Sequence, residues 1–475
     1  MNATPEQQAI IQHVITTNGL TMVSAVAGSG KTTLLVALAN RMAEGNPASG
    51  LYLAYNKSVA MEAQTKFPDF ISCMTTHSLA YTPTVRAKGS KLHLGKFTYR
   101  QIHESIDYDF KCEIVEHIRT FCLSSFLNID DYGKFHNLTP RLLEYLHKYL
   151  DQMLEGRTEC THDFYLKLYH IMLANGNISY EPFSIIALDE SGDLNPVTLE
   201  IFKLLPAEKK VMVGDPHQNI YQFNHTINCF SVMADQGTYL PMTKSFRVDH
   251  RIAKRIQKYC QAYLSEDMLF EGIEITNPKV ETRAFISRTN SALVRKLMEL
   301  NKLHIPYGTI RDVKDIFALP LTLCALKPGG FTSNSEFKYL QDDANTYGKS
   351  KELQDRYKTV LMYLKDLHEG DLALQQAISI IFQYGKADVI ACHEQAKKHS
   401  KKEQNYMIGT SHSFKGLEMD SVELADDMNQ AIAGIVLSMK LDPDHILTTE
   451  ERAELSLYYV ACSRAKKELH NAKYL

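Results

Sequence analysis

The chain has 475 residues, a hydrophobic content of 44%, a charged content of 23% and a formal net charge of −3. This length exceeds one ordinary domain of about 100 to 200 residues and predicts several folded units. No apolar run approaches the roughly 20 residues of a membrane span, and no secretory signal is visible, so we predict a cytoplasmic or nucleoid protein without a membrane partner. The net charge gives no support for nucleic-acid binding, since a dedicated nucleic-acid-binding domain usually has a basic imbalance, so any nucleic-acid groove must be a local feature.

Nine cysteines are scattered without a C-x-x-C pair, which favours reduced thiols over a disulfide framework. Two of them have a histidine close by in sequence, Cys160 with His162 and Cys392 with His393. Such isolated pairs are either metal ligands or, more often, ordinary surface or core residues.

A short apolar run at 20–25 leads into a glycine-rich turn and then a helical pattern through Met42. In a strand–loop–helix of this kind, backbone N–H groups and the helix N-terminus surround phosphate oxygens. Lys31 would reach the β- and γ-phosphates, and Thr32 would hold Mg²⁺. The predicted phosphate-binding residues are Ala27, Gly28, Ser29, Gly30, Lys31, Thr32 and Thr33.

A second apolar run, 183–188, ends in the acidic pair Asp189 and Glu190. α/β sheets place ligands at the carboxyl ends of their strands, so both carboxylates would meet the phosphate loop there. We predict that Asp189 holds the water shell of Mg²⁺ and that Glu190 polarises the hydrolytic water. Taken alone, the pair is also typical of a helix N-cap, and the phosphate loop favours the catalytic interpretation.

A third apolar run, 211–213, precedes the segment GDPHQNIYQF at 214–223. This order resembles motif III of UvrD-like helicases, and its Pro-His form is similar to the F-box DNA helicase group. No F-box is evident at the N-terminus. Further matches follow in family order: TPEQ at 4–7, YNK at 55–57, TTHS at 75–78, KSFR at 244–247, SRTN at 287–290, SHSFKGLE at 411–418 and YVACSRA at 459–465.

The resemblance implies an α/β fold with two RecA-like P-loop domains, each built on a parallel sheet and each carrying a mainly helical insertion. Helical periodicity at 141–154 and 353–367 agrees with helical insertions. The second insertion is short for the family. The predicted boundaries are 1–82 and 181–240 for domain 1A, 83–180 for insertion 1B, 241–311 and 406–475 for domain 2A, and 312–405 for insertion 2B.

For the nucleotide, the resemblance implies ATP and Mg²⁺ as cofactors. Gln7 would read the adenine edge, and Glu418 would bind ribose. Phe246 would stack on adenine, with an ordinary core aromatic as the alternative. Gln218 would sense the γ-phosphate.

The resemblance also implies two arginine fingers, Arg247 and Arg464, which reach the γ-phosphate when the two domains close. An arginine finger contributes roughly 10³ to 10⁵ in rate, so hydrolysis and closure would be tied together. For either residue alone, a surface ion pair is the alternative.

For DNA, a strand bound without sequence preference is held by phosphate contacts and by bases stacked on aromatic rings. Since the chain has no tryptophan, stacking falls on smaller rings. Each implied contact residue has a packing role as its alternative, and the lysine-rich segment at 397–402 is either a duplex contact or a solvated helix face. The implied DNA-contacting residues are Tyr55, Asn56, Lys57, Thr76, His77, Tyr221, Phe223, Arg288 and His412.

The sequence thus predicts a monomeric, ATP-dependent helicase that moves on single-stranded DNA, 3′ to 5′ as the resemblance implies, with fork or branched DNA as substrate. One rival is a DNA-stimulated ATPase that translocates and strips proteins with little unwinding. Another is a non-hydrolysing DNA clamp, against which the intact Lys31, Glu190, Arg247 and Arg464 argue. A helicase–nuclease is disfavoured because the chain ends soon after Arg464.

One motif departs from the family pattern, because DESGD at 189–193 stands in place of Asp-Glu-Ala-Gln-Asp. In relatives the glutamine helps to link the nucleotide site to motif III, whereas Gly192 has no side chain that can form hydrogen bonds. Either the link is weaker or made by another group, such as Ser191 or Gln218, or the loop follows a different path that needs glycine. Because both catalytic carboxylates remain, we predict that hydrolysis survives and that any deficit lies in DNA stimulation of the ATPase.

Overall fold

The chain divides into two compact units, Met1–Phe246 and Arg247–Leu475. None of the helices in the described part of the chain is both long and apolar enough to cross a membrane. The computed structural model describes residues 3–103, 105–220, 226–265, 267–276, 279–327, 329–332, 337–347, 357–369, 371–400, 404–442 and 444–475.

The first unit alternates strands and helices, with a run of helices between its third and fourth strands. Its elements are α1 (Pro5–Thr16), β1 (Gly19–Ala25), α2 (Lys31–Ala43), β2 (Gly50–Ala54), α3 (Lys57–Gln64), β3 (Ile71–Thr75), α4 (Thr76–Thr84), α5 (Tyr108–Leu123), α6 (Ile129–Phe135), α7 (Pro140–Leu154), α8 (His162–Ala174), β4 (Phe183–Leu188), α9 (Pro196–Leu204), β5 (Ala207–Gly214), α10 (Cys229–Val232) and β6 (Thr238–Met242).

The six strands form one parallel sheet in the order β3-β2-β4-β5-β1-β6. The strands are apolar on both faces because helices cover both. Val23 of β1 packs with α1, α2 and α3 on one face, whereas Met22 packs with α4, α8 and α9 on the other. The order places β4, β5 and β1 side by side, so the loops at their carboxyl ends meet at one edge. The predicted boundary at 240/241 falls within β6.

The helical run between β3 and β4 corresponds to the predicted insertion 1B, and it has a hydrophobic cluster of its own. α7 begins where the sequence favours a helix start: Thr139 accepts a hydrogen bond from Leu142 N at 3.2 Å, and Pro140 takes the first helical position. The buried Lys167 of α8 donates to Ser124 O at 2.6 Å and to Phe126 O at 2.8 Å, which fixes the end of α5.

The second unit repeats this plan, and its first strand, β7, begins at the end of the first unit. The elements are β7 (Lys244–Asp249), α11 (His250–Tyr263), β8 (Glu271–Ile273), β9 (Arg283–Ser287), α12 (Asn290–Lys302), β10 (Gly308–Thr309), α13 (Val313–Ile316), α14 (Ala318–Ala325), α15 (Lys338–Tyr347), α16 (Tyr357–Leu367), α17 (Leu372–Tyr384), α18 (Lys386–His399), β11 (Tyr406–Thr410), β12 (Met419–Leu424), α19 (Asp426–Leu441), α20 (Thr449–Cys462) and β13 (Ala465–His470).

Five of these strands form a second parallel sheet in the order β10-β11-β9-β12-β13, and β7 pairs with β8. The helices of the predicted insertion 2B share one hydrophobic cluster with α12, so this insertion packs directly on the sheet's own helical layer. α7 covers the predicted helical segment 141–154, and α16 lies within the predicted segment 353–367, of which 353–356 are outside the described residues. The predicted α/β class with parallel sheets is confirmed.

Candidate active site

The loop between β1 and α2 has the geometry of a phosphate-binding turn. Gly28 and Gly30 have φ angles of 76° and 82°, in the left-handed region that favours glycine. Ser29 N donates to Val26 O at 3.2 Å, which closes the turn, and α2 begins at Lys31. The first N–H groups of a helix have no intrahelical partner, so they form an anion site at the carboxyl edge of the sheet. Ala27, Thr32 and Thr33 belong to the same segment.

The acidic pair after β4 meets this loop. Lys31 Nζ lies 2.9 Å from Glu190 Oε2. Burial alone lowers the pKa of the Lys31 ammonium, but the carboxylates of Glu190, Asp189 and Asp215 outweigh burial and leave that pKa raised. The predicted lysine and catalytic carboxylate are therefore in direct contact.

Asp189 is buried and oriented by a residue that the sequence did not reveal. The Tyr52 hydroxyl donates to Asp189 Oδ2 at 2.6 Å, and Glu190 N donates to Asp189 Oδ1 at 2.8 Å. Burial, followed by the charge of Glu190, raises the pKa of the Asp189 carboxyl, while Lys31 and the Tyr52 hydroxyl oppose this shift. Only knowledge that β2 pairs with β4 would have indicated Tyr52.

Mg²⁺ fits the chemistry of Thr32 and Asp189, which offer a hydroxyl and a carboxylate oxygen at this edge. Across the described ranges, no group of three or more His, Cys, Asp or Glu could hold a metal ion by itself. Mg²⁺ characteristically uses one or two protein ligands together with substrate phosphates. Of the isolated cysteines, Cys160 is buried, and Cys392 Sγ accepts a hydrogen bond from Asn301 at 3.4 Å.

Gln218 lies in the loop after β5, the strand next to β4, which ends at the acidic pair. Its Nε2 donates to Asp215 Oδ2 at 2.8 Å, and Asp215 Oδ1 accepts from His217 N at 3.0 Å. Gln218 and Asp215 are both buried. Asp215 therefore fixes the side chain that we predict to sense the γ-phosphate.

The two predicted adenine contacts lie against the phosphate loop. Gln7 forms a capping box with Thr4, and its Nε2 is 3.4 Å from Ser29 O. Phe246 N donates to Gly28 O at 2.9 Å, and 48% of the Phe246 residue surface is exposed. Phe246 is therefore not an ordinary core aromatic, and its role on adenine stays a prediction.

In the second unit, the turn before β12 contacts both predicted arginine fingers. Arg247 forms an ion pair with Glu418, the predicted ribose ligand. Arg464 donates through Nε to Val460 O at 2.9 Å and through Nη1 to Leu417 O at 3.4 Å. Both guanidinium groups are therefore engaged by residues of their own unit.

Three predicted DNA contacts of the first unit lie at a cleft of about 330 Å³ at the carboxyl ends of β2, β3 and β4. Tyr55, Thr76 and His77 line it. Asn56 caps α3 by accepting from Val59 N at 2.9 Å, and Lys57 follows as the first residue of that helix.

Two charged residues of the helical run between β3 and β4, Arg119 of α5 and Asp163 of α8, also line the cleft. His77 Nε2 lies 3.5 Å from Asp163 Oδ1. Sequence reasoning missed both residues because no motif covers this insertion.

The remaining predicted DNA contacts are Tyr221, Phe223, Arg288 and His412. Tyr221 and Phe223 lie outside the described residues. Arg288 forms a two-pronged ion pair with Glu454, with N–O distances of 2.6 to 3.0 Å, and its backbone N donates to Asp427 at 3.0 Å. His412 is half-buried in the turn after β11.

The first unit thus combines a parallel sheet, a phosphate loop and an adjoining acidic pair, the defining parts of a P-loop nucleotide-binding domain. Residues 7–224 match the family described as an AAA domain. Residues 134–473 match the family described as the UvrD-like helicase C-terminal domain. The chain belongs to the UvrD-like helicase family, which confirms the resemblance found in its motifs.

Two curated relatives align with almost the whole chain. F-box DNA helicase 1 of Gallus gallus is 26% identical over 510 residues, which cover 98% of this chain and 48% of that protein. F-box DNA helicase protein 1 of Schizosaccharomyces pombe is 24% identical over 527 residues, which cover 98% of this chain and 57% of that protein. The chain spans about half the length of the curated relatives it matches.

Proposed function

We propose that this chain is an ATP-dependent helicase that moves along single-stranded DNA, 3′ to 5′, and couples ATP hydrolysis to strand separation. The observation that carries this proposal is the contact between Lys31 and Glu190 at 2.9 Å, at the edge where the phosphate loop opens. The membership of the UvrD-like helicase family and the names of the two relatives support DNA as the substrate.

The contact between Lys31 and Glu190 suggests how nucleotide binding prepares hydrolysis. When ATP occupies the loop, its β- and γ-phosphates compete for Lys31 and take it from Glu190. The released Glu190 carboxylate then accepts a hydrogen bond from the attacking water and polarises it. Thr32 and Asp189 would hold Mg²⁺, which supplies neutralisation of the phosphate charge.

We further propose that Arg247 and Arg464 act as arginine fingers and that Gln218 senses the γ-phosphate. Arg247 would have to break its ion pair with Glu418 before it could neutralise phosphate charge. Arg464 would likewise have to break its hydrogen bonds to carbonyl groups. Glu418 would then be available for the ribose. ATP would thereby change the contacts of the second unit as well as those of the first.

For the DNA-binding path, we propose that single-stranded DNA runs along the cleft lined by Tyr55, Thr76 and His77. Half of the Tyr55 surface is exposed, so its ring is accessible to a base. A base stacked on an aromatic ring contributes about 1 to 3 kcal/mol without sequence preference.

The decisive experiment measures unwinding of duplexes that carry a 3′ or a 5′ single-stranded tail, with and without ATP. We expect ATP-dependent unwinding of the 3′-tailed substrate only.

Two variants separate the assigned roles: Lys31→Ala should lose both nucleotide affinity and turnover, whereas Glu190→Gln should keep nucleotide binding and lose hydrolysis. Hydrolysis by Glu190→Gln at the parent rate would remove Glu190 from its role, and an absence of DNA-stimulated ATPase in the parent protein would refute the motor.

A further inference from the structure

The acidic loop, residues 189–193, packs backbone to backbone on the end of β5 and the sensor loop, residues 215–220. Ser191 N donates to Val213 O at 3.0 Å. A Cβ atom added at Gly192 would overlap the Asp215 carbonyl oxygen. The absence of a side chain at Gly192 therefore permits this close approach.

The same contact requires glycine on its other side. A Cβ atom added at Gly214 would lie 2.6 Å from Gly192 N and 2.8 Å from Ser191 N, distances that real Cβ atoms essentially never show. Gly192 is not among the residues with positive φ, so its requirement is steric. These facts favour the hypothesis that the loop follows a path that needs glycine at 192.

Glu190 adopts its conformation next to this contact. Its φ of 52° lies in the left-handed region that non-glycine residues rarely adopt. Asp193 N donates to Glu190 O at 3.3 Å and closes the turn. A residue keeps such a backbone conformation only when its surroundings enforce it. The packing of Gly192 on Asp215 is one such constraint.

Hydrogen bonds extend this contact into the sensor loop and join the two loops a second time at the far end of the acidic loop. Asp215, whose carbonyl faces Gly192, holds Gln218 through its carboxylate at 2.8 Å. At the far end of the acidic loop, Thr226 Oγ1 donates to Asp193 Oδ1 at 2.7 Å. With the Asn219 amide turned so that both of its ends are satisfied, its nitrogen donates to the same oxygen at 3.0 Å. A shift of the acidic loop must therefore move the sensor loop with it.

We propose that Gly192 and Asp215 are positioning residues whose backbone contact fixes Glu190 relative to Gln218. This contact takes the place of the glutamine side chain that the family motif has at position 192. The inference rests on the proposed ATP hydrolysis. It identifies the group that connects the hydrolytic carboxylate to the γ-phosphate sensor in this chain.

The test compares Gly192→Ala and Gly192→Gln with the parent chain. Because misplacement of a reacting group by about 1 Å can lower a rate about 100-fold, we expect kcat with single-stranded DNA to fall about 10- to 100-fold in both variants. Affinity for a fluorescent ATP analogue should change less than about threefold, since the atoms nearest to a Cβ at position 192 belong to Asp215 and not to the phosphate loop. Gly434→Ala is the matched control, because a Cβ atom there meets nothing within 4 Å.

A second variant keeps the test valid if the Gly192 variants fail to fold. Thr226→Val removes the hydroxyl that joins Asp193 to Asn219, and it should lower the ratio of DNA-stimulated to basal ATPase. Three results would each overturn the inference. The ATPase ratio of Thr226→Val could equal that of the parent, the kcat of Gly192→Ala could equal that of the parent, or Gly192→Gln could show increased DNA-stimulated turnover. If the parent hydrolyses ATP without DNA stimulation, the proposed motor fails, and basal kcat of Gly192→Ala still decides the positioning role.

Discussion

The Tyr52 hydroxyl donates to Asp189 from the neighbouring strand, so it orients the carboxylate that we assign to Mg²⁺. Loss of a group that orients a metal ligand lowers metal affinity about 10- to 100-fold. We expect Tyr52→Phe to raise the Mg²⁺ concentration for half-maximal ATPase about tenfold or more. A magnesium titration of the ATPase measures this, with Tyr169→Phe as the control because its hydroxyl bonds only to Tyr180 among the hydrogen bonds described. If Tyr52→Phe needs the same Mg²⁺ concentration as the parent, Asp189 is not the metal ligand that we propose.

Glu418 forms an ion pair with Arg247, and we propose that it binds the ribose when ATP is bound. Hydrogen bonds to a charged group contribute about 1.5 to 3 kcal/mol, so 3′-deoxy-ATP should be used about 10- to 100-fold less efficiently than ATP by the parent chain. In Glu418→Ala this discrimination should disappear. Competition assays with both nucleotides give the kcat/KM ratio, and a ratio that is equal in parent and variant would refute ribose binding by Glu418.

At the scale of elements, Lys167 connects two helices of the first insertion. Its ammonium donates to the carbonyl groups of Ser124 and Phe126 just beyond α5, and α5 carries Arg119 into the cleft. Lys167→Met would leave both carbonyl groups without this donor, so we expect the free energy of unfolding to fall by about 1 to 3 kcal/mol. Thermal unfolding measures the loss, and Lys134→Met, at an exposed position of α6, is the control. If Lys167→Met and the parent unfold at the same temperature, apolar packing and not these hydrogen bonds holds the end of α5.

Lys167 also predicts a pH dependence. Burial lowers the pKa of its ammonium to about 8. Since lysine in an unfolded chain titrates near 10.4, the unfolded chain holds more protons than the folded one between these values. Stability rises with pH in such an interval, so the stability advantage of the parent over Lys167→Met should grow from about pH 8 to pH 10. Unfolding curves at several pH values test this, and a constant difference would contradict it.

The elements also explain which parts of the site the sequence could predict. The phosphate loop is a local pattern of one strand, one turn and one helix, so apolar periodicity and two glycines were sufficient. The contact of Tyr52 with Asp189 joins residues 137 positions apart, and that of Arg288 with Glu454 joins residues 166 apart. Such contacts depend on strand order and helix packing, which no local pattern encodes. For the same reason, the steric need for glycine at 192 depends on the pairing of β4 with β5, which no local pattern encodes.

At the scale of the whole molecule, the proposed motor requires catalytic groups from both units. Arg247→Ala should lower DNA-stimulated ATPase about 10³-fold or more, because an arginine finger contributes roughly 10³ to 10⁵ in rate. Binding of single-stranded DNA should be retained. The control is Arg251→Ala, whose exposed side chain pairs with Asp249 at 2.8 Å. A turnover of Arg247→Ala within about threefold of the parent would show that hydrolysis needs no finger at this position.

The strand order of the first sheet has a consequence for synthesis on the ribosome. β1 is made first, yet its two neighbours, β5 and β6, begin at Ala207 and Thr238. At about 5 to 20 residues per second, this apolar strand therefore waits on the order of ten seconds or more for any partner in its own sheet. Unpaired strands of this kind are the segments that aggregate and that chaperones protect. We expect a protease to cleave β1 in nascent chains that are halted before Ala207, and we expect β1 to be protected in chains released beyond Met242. The strand that leads into the phosphate loop is thus the first strand of its sheet to be made and the last to be enclosed.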